Sequence, residues 1–366
     1  MTELVAYADL AGDPLVRAAL AGDVQSAERA IFAEPGGLAG AVARRVLGSA
    51  GPFARAARAG LADDARLQIA AAELEQLGAA AHGLELRVGG STDASGLAGL
   101  LAAEGGWGRH APDLAAFYER EGVGALAVNR VLRVDGAGLH GIVHADLIGL
   151  ADLVGREELR ADLLSDLATF TTGQPANDAL LYGPPGTGKS ATVRACAAAF
   201  ADRGLRLIQV AHDELEHIDA VFEAVAGAGP WCLLFLDDLV FDDASRADRA
   251  LRAALEGGVV ARPRNVLVWA TSNRLNMTHM THSERADEID EREARGEKMA
   301  LANRFGRRVR FDLRGEDWYL EIALRLIRAR LGRVPEGADV AALRYCRTGA
   351  GPSPRTAHHF AAQYRP

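Results

Sequence analysis

The sequence predicts an α/β protein, a parallel sheet flanked by helices, with an α-helical N-terminal domain before it and a C-terminal helical lid after it. Three observations carry this. Five short apolar runs, Ala179 to Tyr182, Leu205 to Val210, Trp231 to Leu236, Val266 to Ala270 and Val309 to Leu313, are separated mostly by helical stretches. Continuous apolar strands with helices between them form parallel sheets covered on both faces. Residues 11–134 are rich in Ala and Leu at helical spacing, and Glu316 to Arg330 places Trp318, Tyr319, Ile322, Leu326 and Ile327 on an amphipathic helix.

In chain order, the N-terminal stretch is punctuated by Pro35-Gly36-Gly37, Gly51-Pro52, Gly89-Gly90 and Gly105-Gly106 into about six short helices. Leu84 to Val88 alternates and reads as one short strand. Asp135 to Gly141 is rich in glycine, lacks periodicity and reads as a linker. Three segments follow: 1–140 as a helical domain, 141–314 as the α/β core, and 315–366 as the lid. A chain of 366 residues accommodates two or three domains.

Hydrophobic residues make up 49% and charged residues 25%, which excludes a disordered or collagen-like chain. No apolar run approaches eighteen residues, and Glu3, Asp9 and Asp13 occupy the region where a secretory signal is basic and apolar, so a cytoplasmic protein with no membrane partner is expected. Cys196, Cys232 and Cys346 are far apart in apolar surroundings and read as buried free thiols. Charge is uneven: residues 1–150 carry a net −6 and residues 301–366 a net +7, within a whole-chain value of −8. The balance argues against a general nucleic-acid coat, but leaves a basic C-terminal segment that could meet phosphates or an acidic protein. Only Lys189 and Lys298 are lysines.

Gly183-Pro184-Pro185-Gly186-Thr187-Gly188-Lys189-Ser190 follows an apolar strand and precedes a helical stretch that opens at Ala191. This is the context of a Walker A loop, whose glycines let backbone N–H groups curl around a polyphosphate at a helix N-terminus. Lys189 is placed to neutralise the β- and γ-phosphates of ATP, and Ser190 to ligate Mg²⁺. Leu233-Leu234-Phe235-Leu236-Asp237-Asp238 is a buried strand ending in two carboxylates, a costly arrangement unless a cation or water uses them. About fifty residues after a Walker A loop it reads as Walker B, with Asp237 holding Mg²⁺ through water and Asp238 polarising the attacking water. Val266 to Asn273 is a third strand ending at the same sheet edge, where Asn273 could bond the γ-phosphate and the water.

This order of motifs, followed by Ala302-Asn303-Arg304-Phe305-Gly306 and Gly351-Pro352-Ser353-Pro354-Arg355, resembles an AAA+ ATPase module over about residues 145–366. More closely, Asn177 to Ser190, Phe235 to Leu239, Glu256-Gly257-Gly258, Ala261-Arg262-Pro263, Ala270 to Arg274 and Arg304-Phe305-Gly306 resemble the bacterial AAA+ group catalogued as domain of unknown function family 815. The resemblance implies sensor 1 at Asn273, an arginine finger at Arg304, with Arg307 or Arg308 as alternatives, sensor 2 at Arg355, and an adenine-side contact at Val154 and Gly155 within Asp152 to Gly155. Two departures matter. The Walker B pair is Asp-Asp, so the shorter Asp238 must reach water across a longer gap, which suggests slow turnover. Ala211 to Ile218 also lacks the aromatic-apolar-Gly loop of protein-threading rings.

Met277 to Ala300 is an insert with seven acids and four bases, and reads as an exposed helix or a partner contact. Asp242 and Asp243 read as a solvated loop. His279, His282, His358 and His359 have no Cys or carboxylate at metal-ligand spacing. The expectation is an ATP-binding, Mg²⁺-dependent, homo-oligomeric ATPase that remodels or loads a macromolecule chosen by the N-terminal domain. The alternative is a nucleotide-gated scaffold with little turnover. A small-molecule kinase is disfavoured because no acceptor-site motif accompanies the loop.

Overall fold

The Asp13 carboxylate accepts hydrogen bonds from the N–H groups of Leu15 and Val16 at 2.9 and 3.1 Å, Pro14 follows as the first helical residue, and Gly22 closes the turn in the left-handed region. Side-chain cap, proline start and glycine stop are enough to delimit an eight-residue helix. In the computed structural model, which describes residues 4–31, 37–88, 96–103, 105–136, 138–142, 144–146, 148–227, 229–239, 246–256, 261–273, 302–348 and 351–365, this helix (α1, Pro14–Ala21) opens a helical unit. It continues with α2 (Val24–Ile31), α3 (Gly37–Leu47), α4 (Pro52–Arg58), α5 (Asp64–Val88), α6 (Gly96–Ala103), α7 (Ala111–Glu121) and α8 (Ala125–Val128). Leu84 to Val88 is the last part of α5 and not a strand. Leu, Glu and Arg are good helix formers, and extending an existing helix costs far less than starting a strand.

The chain divides into two units. The first comprises residues 1–132, 139–143 and 225–231, and the second 133–138, 144–224 and 232–366. The core of the first holds Tyr7, Leu15, Phe53, Leu74, Trp107 and Tyr118, all buried. Its buried acid, Glu73, accepts the backbone N–H groups of Val5, Ala6 and Tyr7 at 2.6, 3.0 and 3.1 Å, which ties the start of the chain to α5. The segment read as a linker is instead a hairpin of β1 (Val131–Asp135) and β2 (Gly138–Gly141). Asp135-Gly136 is a turn dipeptide, and Gly136 takes the positive φ that such turns need.

β3 (Ala179–Tyr182), β4 (Leu205–Val210), β5 (Trp231–Leu236), β6 (Val266–Ser272) and β7 (Arg307–Arg310) complete a seven-stranded sheet in the order β2-β1-β4-β5-β6-β3-β7. β3 pairs in parallel with both β6 and β7, and β5 in parallel with β6. α9 (Glu157–Phe170), α10 (Lys189–Ala199), α11 (Ile218–Val225) and α12 (Arg246–Glu256) lie between the strands in sequence. β7 begins two residues earlier than the apolar run 309–313 suggests. It is an edge strand with only Val309 buried, and its register is fixed by β3, with Val309 opposite Leu181, and not by hydrophobicity.

α13 (Glu316–Leu331), α14 (Ala338–Thr348) and α15 (Pro354–Gln363) share their own core of Tyr319, Ile322, Ile327, Ala342, Cys346 and Phe360. The three cysteines are buried and unbridged. Among the described residues, no helix is long and apolar enough to cross a membrane.

Candidate functional site

Register assembles the site. Leu236 of β5 lies opposite Ala270 of β6, and Tyr182 of β3 lies opposite Ser272. The next residues on these strands, Asp237, Thr271 onward and Gly183, therefore emerge together at the carboxyl ends of three neighbouring strands. Ligands of open parallel sheets bind at that edge.

The loop after β3 leaves no room for side chains at its start. Gly183 has φ of 139°, and a Cβ there would lie 2.0 Å from the Phe311 carbonyl oxygen. Gly186 and Gly188 are also in the left-handed region. The Thr187 hydroxyl donates to the Pro184 carbonyl at 2.9 Å. Pro185 is exposed on the loop, and Ala191 sits half-buried in the first turn of α10. Lys189 is 6% exposed, and its ammonium donates to the carbonyls of Gly183 (2.8 Å) and Pro184 (2.9 Å) and to Asn273 Oδ1 (2.7 Å). Burial pushes its pKa down to about 8. Asp238 and Asp237 oppose that shift, while Arg355 and Arg156 add to it.

From Lys189 a hydrogen-bond circuit runs through both acids. Asn273 Nδ2 donates to Asp238 Oδ1 at 2.5 Å, the Asp238 N–H donates to Thr271 Oγ1 at 2.9 Å, and Thr271 Oγ1 donates to Asp237 Oδ1 at 2.6 Å. Ser190 Oγ donates to the same Asp237 oxygen at 2.6 Å. The two carboxylates are exposed, so the burial cost expected from sequence does not apply, and hydrogen bonds from β6 and α10 are what orient them. Asp238 adopts φ of 56°. The donor set suits Mg²⁺: one hydroxyl beside one carboxylate, with no cluster of three or more His, Cys, Asp or Glu among the described residues. Mg²⁺ takes few protein ligands and keeps waters and substrate phosphates.

Val154 and Gly155 lie against the lid. The Val154 carbonyl accepts the Trp318 indole N–H at 2.9 Å, and a Cβ on Gly155 would be 3.0 Å from that nitrogen. Arg156, which sequence reasoning passed over, is buried. Its guanidinium stacks 4.8 Å from the Phe311 ring and 5.3 Å from that of Trp318, and donates to the Asp312 carbonyl. Burial and neighbouring Arg314 lower its pKa. Arg355 reaches the loop from α15: its Cβ is 3.3 Å from where a Cβ of Gly186 would stand. Ser353 caps that helix, accepting the Thr356 N–H at 3.1 Å. Arg156 and Arg355 thus both act on Lys189 beside two carboxylates, and the surplus positive charge suits a polyanion.

Arg304 is exposed on the turn before β7, which is pinned by buried Phe305. Arg307 pairs with Asp166 through two nitrogens and with Asp162 at 3.2 Å, and these bonds raise its pKa. Arg308 donates to Asn303 Oδ1 at 2.9 Å. Asp242, Asp243 and the insert at 277–300 fall outside the described residues. Thr271 was also missed, since a threonine in an apolar strand gives no local sign of its partners.

A family profile described as "Protein of unknown function (DUF815)" matches residues 125–366. The replication factor C large subunit of Thermofilum pendens is 34% identical over 80 residues, 22% of this chain and 19% of that protein. Replication factor C subunit 3 of Schizosaccharomyces pombe is 28% identical over 120 residues, 31% of this chain and 35% of that one. The chain thus spans about a fifth and a third of these relatives. Among solved structures, the Thermotoga maritima RuvB Holliday junction branch migration motor matches with a TM-score of 0.40 and 18% identity, covering 59% of this chain and 63% of that one.

Proposed function

Because this chain belongs to the family described as "Protein of unknown function (DUF815)", we propose that it is an AAA+ ATPase, which binds ATP with Mg²⁺ and hydrolyses it to remodel or load a macromolecular partner. The observation that carries the proposal is the circuit Lys189–Asn273–Asp238–Thr271–Asp237–Ser190, which joins a phosphate-binding cation, two carboxylates and a hydroxyl beside one of them. The backbone N–H groups of 183–190 and the Lys189 ammonium receive the phosphates. Ser190 and, through water, Asp237 hold the metal, which supplies charge neutralisation across the β- and γ-phosphate oxygens. Asp238 accepts a proton from the attacking water or orients it. Asn273 bridges that carboxylate and Lys189, and so is placed to respond to a γ-phosphate. Arg355 acts from the same chain, Val154 and Gly155 line the adenine side, and Arg304 reaches the neighbouring site of a homo-oligomer. The two replication factor C matches are, by name, subunits, which supports assembly. We assign partner choice to the N-terminal helical domain, 1–140, with a protein favoured over nucleic acid.

Calorimetry of ATP binding tests the site. Lys189→Ala should abolish tight binding, and unchanged affinity would remove residues 183–190 from it. A second reading, a nucleotide-gated scaffold with little turnover, is favoured by the engagement of Asp238 Oδ1 by Asn273 at 2.5 Å, which withholds one carboxylate oxygen from water. Single-turnover hydrolysis separates the two.

A further inference from the structure

Residues 271–273 hold residues 237–239 through a ladder of side-chain and backbone bonds. Besides the bonds of Thr271 and Asn273, Ser272 Oγ donates to the Leu239 carbonyl at 2.8 Å, and the Leu239 N–H donates to the Thr271 carbonyl at 2.7 Å. Within this ladder Thr271 has a special place, because its single hydroxyl serves both acids. The Asp238 N–H can only donate, so it occupies a lone pair of Oγ1. The hydroxyl proton is then committed to Asp237.

We propose that Thr271 is a positioning residue for the metal-bound triphosphate, fixing which oxygen of Asp237 faces the metal and which way Asp238 turns. The argument rests on the ATP-site reading above. Asp237 Oδ1 receives two hydroxyl protons, from Thr271 and Ser190. That saturates Oδ1 and leaves Oδ2 as the oxygen able to accept from a metal-bound water. By giving its proton to Asp237, Ser190 keeps its own lone pairs for the metal. The second bond of Thr271 holds the Asp238 N–H where the backbone takes its left-handed turn. Thr271 is 1% exposed, so water does not replace a lost hydroxyl freely.

The test is calorimetric titration with ATP, in EDTA and in MgCl₂, of the full chain and of T271V, T271S and D237N. T271V keeps shape and strand preference but lacks the hydroxyl. Its ATP affinity in EDTA should stay within about 2-fold of the parent, while the gain in affinity on adding Mg²⁺ should shrink by about 10-fold or more, the scale on which outer-shell partners of metal ligands act. T271S should restore the gain to within about 2-fold. A purely structural threonine would lower the melting temperature and both affinities together, and that result overturns the proposal. So does a T271V protein with the full Mg²⁺ gain when D237N has lost it. If T271V does not fold, T271A carries the same expectation. A parent protein that binds no ATP, or whose binding ignores Mg²⁺ while D237N behaves identically, overturns the ATP-site reading itself.

Discussion

Lys189 is the group on which the proposed ATP site turns, and its lowered pKa makes that proposal measurable. With the free-site value near 8 and a triphosphate raising it, ATP binding takes up a proton. Lys189 is about 90% charged at pH 7, half charged at pH 8 and about 3% charged at pH 9.5. Uptake per ATP should therefore rise from about 0.1 proton at pH 7 to about 0.5 at pH 8. Affinity should weaken about 30-fold between pH 7 and pH 9.5, equivalent to about 2 kcal/mol. The sign is set by the charged form being the one that meets phosphate: affinity is full below pH 8 and lost above it. The terminal phosphate, with a second ionisation near 6, is already ionised over the upper part of this range and adds little. Calorimetry in two buffers of different ionisation enthalpy reads the proton count directly. Lys189→Arg should bind with altered affinity but a flat profile, because guanidinium does not titrate there. Flat affinity and no proton uptake in the parent protein would refute the claim that a buried, charge-crowded lysine receives the phosphates.

Asp238→Asn should keep nucleotide affinity and slow hydrolysis by about 10²-fold or more, whereas Asp237→Asn should chiefly weaken the Mg²⁺ dependence of binding. Single-turnover assays with and without Mg²⁺ distinguish them, and identical behaviour of the two variants would undo the division of roles. Arg304→Ala should bind ATP normally and lose about 10³-fold or more in hydrolysis, as finger arginines contribute. Mixing it with Lys189→Ala subunits should recover part of the rate, and no recovery in assemblies proven to be mixed would count against a finger acting between subunits.

What sequence could reveal follows how local each feature is. Gly183 to Ser190 is contiguous and lies between a strand and a helix, so the loop is legible in sequence, and the buried strands β4 and β5 coincide with their apolar runs. β7 is shifted because an edge strand of three arginines and a single valine carries almost no apolar signal. The hairpin at 131–141 was hidden by its glycines, although Asp135-Gly136 was a turn signal in plain view. Thr271 and Arg156 were invisible for another reason. Their roles depend on the register of β5 with β6 and on the approach of Trp318, contacts between residues distant in sequence.

The positive φ of Asp238 gives a backbone reason for Asp, and not Glu, as the second acid of the proposed Walker B pair. Among residues other than glycine, Asp and Asn visit that backbone region most readily, while other side chains pay about 1 to 2 kcal/mol. Glutamate would bring its carboxylate nearer to water, yet it would have to hold a turn it disfavours. The backbone at the end of β5 therefore favours Asp over Glu at this position. Relatives that keep the Thr271 bond to this N–H should show Asp, Asn or Gly at this position, and a change to Glu should be accompanied by loss of the threonine.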